Sequence, residues 1–111
     1  MKGYKIKMII EMRTYNIKTA KVNEFIKIYD EDIREIHTKI LGNQIGFFYS
    51  EFGKLNQVIH LYGYENYEER SKRRNELSLN LEFKNYVKKV ADLIVSQENQ
   101  VLLPTDFSKI K

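Results

Sequence analysis

Two strand-like stretches in the middle of this chain, residues 43–51 and 55–64, are parted only by Phe52-Gly53-Lys54. A gap that short holds no helix, so the pair folds as an antiparallel hairpin. The other connections are long and helical. Residues 8–15 alternate as a first strand, with Ile10, Met12 and Thr14 on one side and Ile9, Glu11, Arg13 and Tyr15 on the other. Residues 20–41 follow with Val22, Phe25, Ile26, Tyr29, Ile33, Ile36 and Ile40 in one apolar stripe, which is helical spacing. Thr19 is the expected N-cap and Gly42 the stop.

After the hairpin, Asn66 is the expected cap of a second helical region over 67–95, with Glu68 and Glu69 in its first turn and a break near 78–80. Phe83, Tyr86, Val87, Val90 and Ile94 carry its apolar face. Residues 96–104 close the pattern as a fourth strand. Gly46, inside the second strand, predicts a bulge or a close backbone approach. The order β-α-β-β-α-β is the ferredoxin-like pattern, an α+β fold with two helices on one face of a four-stranded antiparallel sheet. At 111 residues the chain makes one domain. We assign 1–7 as an extension, 8–108 as the domain and 109–111 as a tail.

The other sheet face then needs a cover. The third strand puts Val58, His60, Tyr62 and Tyr64 on one side, a face neither wholly apolar nor plainly wet. We expect a second copy of the sheet to close over that face, giving a homodimer with a cavity at its centre.

Composition narrows the partners. The net charge is +4, but both signs are interspersed and no zinc-finger, KH or RRM signature accompanies them, so no nucleic acid is expected. Cysteine is absent, which removes thiol chemistry and thiolate metal sites. The longest apolar run is far short of a membrane span, and the start lacks a signal-peptide apolar region. The expected location is cytoplasmic.

A run of local words, Glu11-x-Arg13-x-Tyr15, Leu41-Gly42 with Gly46-x-Phe48, Leu55-Asn56-Gln57-Val58-Ile59-His60-Leu61, Arg73-Arg74, and Ser96-Gln97-Glu98-Asn99 with Leu103-Pro104-Thr105, resembles the NIPSNAP family, in order from Met8 to Ser108. The resemblance implies the dimeric α/β-barrel superfamily, whose relatives include cofactor-free monooxygenases, haem-degrading enzymes and lactone isomerases. It implies no settled activity. Many members carry Trp where Tyr62 stands and His where Ile40 stands.

The candidate chemistry lies on strands one and three, which are neighbours in this topology. Glu11, Arg13 and Tyr15 share a face at roughly 7 Å intervals, and His60 and Tyr62 share one beside them. We read His60 as an acid/base group, Glu11 as the carboxylate that orients it and raises its proton affinity, and Arg13 as an anion holder. Tyr15, Tyr62, Tyr49, Phe47, Gln97 and Asn99 are the candidate ligand contacts. Two functions compete. One is a small organic ligand bound in a semi-polar cavity, with cofactor-free acid/base chemistry on a carbonyl or aromatic substrate. The other is an interaction module whose paired charges only fix the dimer. No cofactor or metal is expected. His37 sits near the border of the first helical stripe and shares no ligand spacing with His60, and no P-loop, dinucleotide fingerprint or nucleophile elbow is present. Arg70, Lys72, Arg73 and Arg74 cluster early in the second helical region, either as a wet face, as an ion-pair lattice with Glu65, Glu68 or Glu69, or as an anion entrance.

Overall fold

The computed structural model describes residues 7–111. The extension expected over 1–7 lies outside them except for Lys7, which pairs with Asp106. The elements run β1 (Ile9–Ile17), α1 (Val22–Ile28), a π turn (Tyr29–Ile33), α2 (Arg34–Leu41), β2 (Asn43–Tyr49), β3 (Gln57–Tyr64), α3 (Tyr67–Leu79), α4 (Leu81–Val90), a 3-10 turn (Ala91–Leu93) and β4 (Ile94–Leu102). The strands lie in the order β2-β3-β1-β4, every pair antiparallel. This is the ferredoxin-like α+β arrangement read from the sequence, with β1 and β3 at its centre.

Local chemistry accounts for the breaks. The Asn66 side chain accepts from the Glu69 N–H at 2.8 Å and caps α3. The Asn80 side chain accepts from the Phe83 N–H at 2.9 Å and starts α4, so the second helical region divides next to the expected 78–80. Thr19 does not cap α1. Ala20 adopts φ 67°, and the cap residue is Lys21 with no side-chain bond. Gly42 ends α2 at φ 91°, and a Cβ there would come within 2.9 Å of the Arg73 guanidinium, which donates to the Ile40 carbonyl. Gly46 sits at the expected β2 bulge, where a Cβ would run into the Phe48 ring.

The first helical region differs from its expected stripe. Its buried residues are Phe25, Tyr29, Ile33, His37 and Leu41, four apart throughout, while Ile36 and Ile40 are only half-buried. A row of fours drifts around an α-helix by about 40° per step. The π turn winds less per residue and takes part of that drift back. His37 therefore lands in the middle of the buried face and not at its border.

These helices pack on the sheet face that carries the odd-numbered β1 residues. Ile17, Phe25, Tyr29, Ile33, Val58, Tyr86 and Val90 form one core cluster. Ile9, Leu41, Tyr62, Tyr64 and Leu77 form another. The face of His60 and Tyr62 is thus covered by this chain's own helices. That corrects the expectation that it faces a partner sheet. The face without helices carries Ile10, Met12, Ile45, Phe48, Ile59 and Leu61 instead, with Phe48 55% exposed.

Candidate functional site

The β1–β3 register sets Glu11 beside Tyr62, Arg13 beside His60 and Tyr15 beside Val58. All five residues expected to converge do so, under the helices. Glu11 is 1% exposed. Arg70 of α3 reaches it with two bonds, Nε to Oε1 at 3.2 Å and Nη2 to Oε2 at 2.7 Å. Arg13 adds Nη1 to Oε2 at 3.3 Å and donates its Nε to the Tyr15 hydroxyl at 3.0 Å. Burial alone would raise the Glu11 carboxyl. Hydrogen bonds from Arg70 and Asn99 and the two guanidinium charges outweigh it and hold the group below its ordinary range.

His60 is 3% exposed and lies between two rings. Tyr15 stacks at 5.3 Å and 8°, and Phe47 at 5.2 Å and 10°. Because β3 runs between β1 and β2, these rings approach from opposite sides. The imidazole makes no hydrogen bond with a described residue, and its Nδ1 is sealed without a partner. Burial, then the neighbouring His37 and the charges of Arg13 and Arg74, push its pKa down to about 3. This overturns the expected Glu11–His60 couple. The carboxylate is engaged by arginines, and its pull on the imidazole is the smallest influence on it. His37 is likewise pushed down to about 3, first by burial.

A second polar knot sits deeper. The Tyr29 and Tyr62 hydroxyls lie 3.2 Å apart, and each is 2.9 Å from His37 Nδ1. Gln44 donates to the Tyr62 hydroxyl at 2.9 Å. Burial pushes the Tyr29 hydroxyl well above its ordinary value and raises that of Tyr62. All the groups are neutral, so the knot satisfies buried polar atoms without burying charge.

Between sheet and helices these residues enclose a cavity of about 440 Å³. Its floor is Arg13, Tyr15, Phe47 and His60 from the sheet. Its roof is Phe25, Tyr29, His37, Arg74, Phe83 and Tyr86. The exposed Val87, Ala91 and Gln97 mark its mouth, between the end of α4 and β4. Of the expected ligand contacts, Tyr15, Phe47 and Gln97 line the cavity. Tyr62 lies behind it in the hydroxyl knot, and Asn99 acts on Glu11. Tyr49 shares the face by register but is 58% exposed at the far end of β2, outside the cavity. The residues that strand periodicity could not supply are the roof, above all Arg74. Among the described residues no three His, Asp or Glu are grouped to hold a metal ion, and no helix is long and apolar enough to cross a membrane.

The fold and site define a class: a ferredoxin-like α+β domain with a ring-walled, partly charged cavity between its sheet and its helices. The NIPSNAP family model matches residues 10–109, and the chain belongs to that family. A NipSnap homologue of Dictyostelium discoideum is 31% identical over 94 residues, 85% of this chain and 41% of that protein. A NIPSNAP family protein of Agrobacterium tumefaciens superposes with a TM-score of 0.91 at 40% identity, covering 94% of this chain and 99% of that one. A second from the same organism, described as of unknown function, gives 0.93 at 28% identity over the full length of both chains. The chain spans about two fifths of the length of the curated relatives it matches.

Proposed function

We propose that this NIPSNAP protein binds a small organic molecule in the cavity between its sheet and helices, within one chain. The observation that carries the reading is His60, buried between two stacked rings at the cavity floor with no hydrogen bond to a described residue. A buried polar group without a partner is costly. Nδ1 is sealed, but the His60 ring lines the cavity and leaves Nε2 as the nitrogen that an occupant would meet. The cavity volume falls within the range of small-molecule sites, roughly 300–1,000 Å³. As chemistry, His60 offers a neutral imidazole. A group that stays unprotonated down to about pH 3 is a weak proton acceptor at neutral pH, so binding comes before catalysis in this reading. Acid/base turnover of a carbonyl or aromatic substrate requires that substrate to raise the imidazole pKa first.

The assembly we propose is a homodimer closed through the other sheet face, where Met12, Ile45, Phe48, Ile59 and Leu61 lie without a helix over them. The dimer completes the fold but does not wall the cavity. A scaffold role finds support in Glu11 and the tyrosine–histidine knot, whose polar groups are satisfied internally.

The deciding experiment pairs a thermal-shift screen of small aromatic and acyl compounds with an Ala91→Trp variant that plugs the exposed mouth. Binding to the folded form raises the melting temperature by mass action. Compounds that stabilise the native protein should lose their effect in the plugged variant. A screen without a stabilising compound, or one indifferent to the plug, would favour the scaffold.

A further inference from the structure

Among the described residues, the cavity wall holds two arginines and no acid. Arg13 is paired with Glu11. The remaining arginines outside the cavity are also committed, Arg34 to Asp30, Arg70 to Glu11, and Arg73 to Glu69 and the Ile40 carbonyl. Arg74 differs. It is half-buried on α3, its side chain lines the cavity, and it makes no hydrogen bond or ion pair with a described residue. The carboxylate whose charge acts on Arg74, Glu11, has both oxygens held by Arg70 and Arg13. A guanidinium remains charged in a protein, and an uncompensated charge in a ring-lined space is expensive. Both histidines beside it stay neutral, so the cavity is cationic at neutral pH.

We propose that the cavity takes a small monocarboxylic acid with a flat, largely apolar body, its carboxylate clasped by Arg74 and its body packed against the ring walls. This rests on the cavity-binding reading and narrows it to one chemical class. The planar guanidinium fork matches a carboxylate through two parallel bonds. A single uncommitted guanidinium among Phe25, Tyr29, Phe47, Phe83 and Tyr86 suits one negative charge, whereas a phosphate dianion would bring a second with nothing to receive it. The nearly parallel rings of Tyr15, His60 and Phe47 form the cavity floor and offer few donors to a polar body.

Calorimetry with cinnamate, its uncharged amide and inorganic phosphate tests the class, on the native protein and on Arg74→Met and Arg74→Lys. The acid should bind at least tenfold more tightly than the amide, and phosphate should not bind. Arg74→Met should lose the preference for the acid and leave the amide unchanged, while Arg74→Lys keeps part of it. Acid and amide bound equally, with Ala91→Trp abolishing both, would overturn the anionic class and leave the cavity reading standing. No binding of either would sink the class, and a screen indifferent to the plug would take the cavity with it. Unliganded Arg74→Met should melt at the native temperature or above, because it removes an unpaired charge. A fall of several degrees would mean that Arg74 is paired within the fold, and would refute the proposal without any ligand.

Discussion

Replacing Glu11 by Gln keeps the shape of the side chain and removes its charge. Two guanidinium groups then lose their counterion. The Arg70 side chain is 25% exposed and can swing toward water, while that of Arg13 is 15% exposed and stays beside the cationic cavity. Removing one member of a buried ion pair costs roughly 3–5 kcal/mol, and relief at Arg70 places this case near the lower end, about 3 kcal/mol. At about 4 °C per kcal/mol, the melting temperature falls by roughly 12 °C. The pH dependence follows from the lowered Glu11 pKa. A carboxyl whose folded pKa lies below its unfolded value of about 4.3 contributes its full stability above that pH and loses it as the pH falls through the folded value. The gap between native protein and Glu11→Gln should be complete at pH 7, start to narrow below about pH 4 and close once the pH is below the folded value. Urea unfolding followed by circular dichroism measures both. A gap under about 0.5 kcal/mol at pH 7, the range of an ordinary surface substitution, or one that persists into acid, would refute the argument that a buried, arginine-held carboxylate anchors α3 to β1.

The histidines give a pH signature in a higher window. His37 and His60 have folded pKa values of about 3 against about 6.5 unfolded, so each costs stability as the pH falls below 6.5, at about 1.4 kcal/mol per pH unit. His60→Phe, which keeps a flat ring between Tyr15 and Phe47, should halve that slope between pH 6 and 5, and an unchanged slope in urea unfolding would count against a neutral His60. On the uncovered sheet face, Leu61→Arg should convert the proposed dimer into a monomer by sedimentation while the cavity survives. A dimer unaffected by that charge would place the interface elsewhere.

How much of the site was legible in the strands follows from their geometry. Residues two apart on a strand share a face, and the order of elements fixes which strands are neighbours, so Glu11, Arg13, Tyr15, His60 and Tyr62 were readable as a group. The helices were less legible because a π turn leaves no mark in composition. Counted at 3.6 residues per turn, His37 sits at the margin, and only the wider turn at Tyr29–Ile33 carries it inward. Arg74 looked like one of four clustered cations, and no local pattern separates the arginine that enters a cavity from its paired neighbours.

Strand alternation and helix spacing are local properties, and through them the sequence by itself determined the ferredoxin-like order of elements, the central β1–β3 pair, the Asn66 cap, the Gly46 bulge and the grouping of the strand-borne candidates. Only the tertiary structure decided which sheet face the helices cover, and with it that the cavity belongs to one chain, that Glu11 serves arginines and not His60, and that Arg74 is left without a partner among the described residues. Both faces of this sheet carry apolar side chains, so periodicity marks each as able to be buried. The choice between them rests on packing across long stretches of chain, where a helix meets its complementary face through shape and charge that no short window of residues contains.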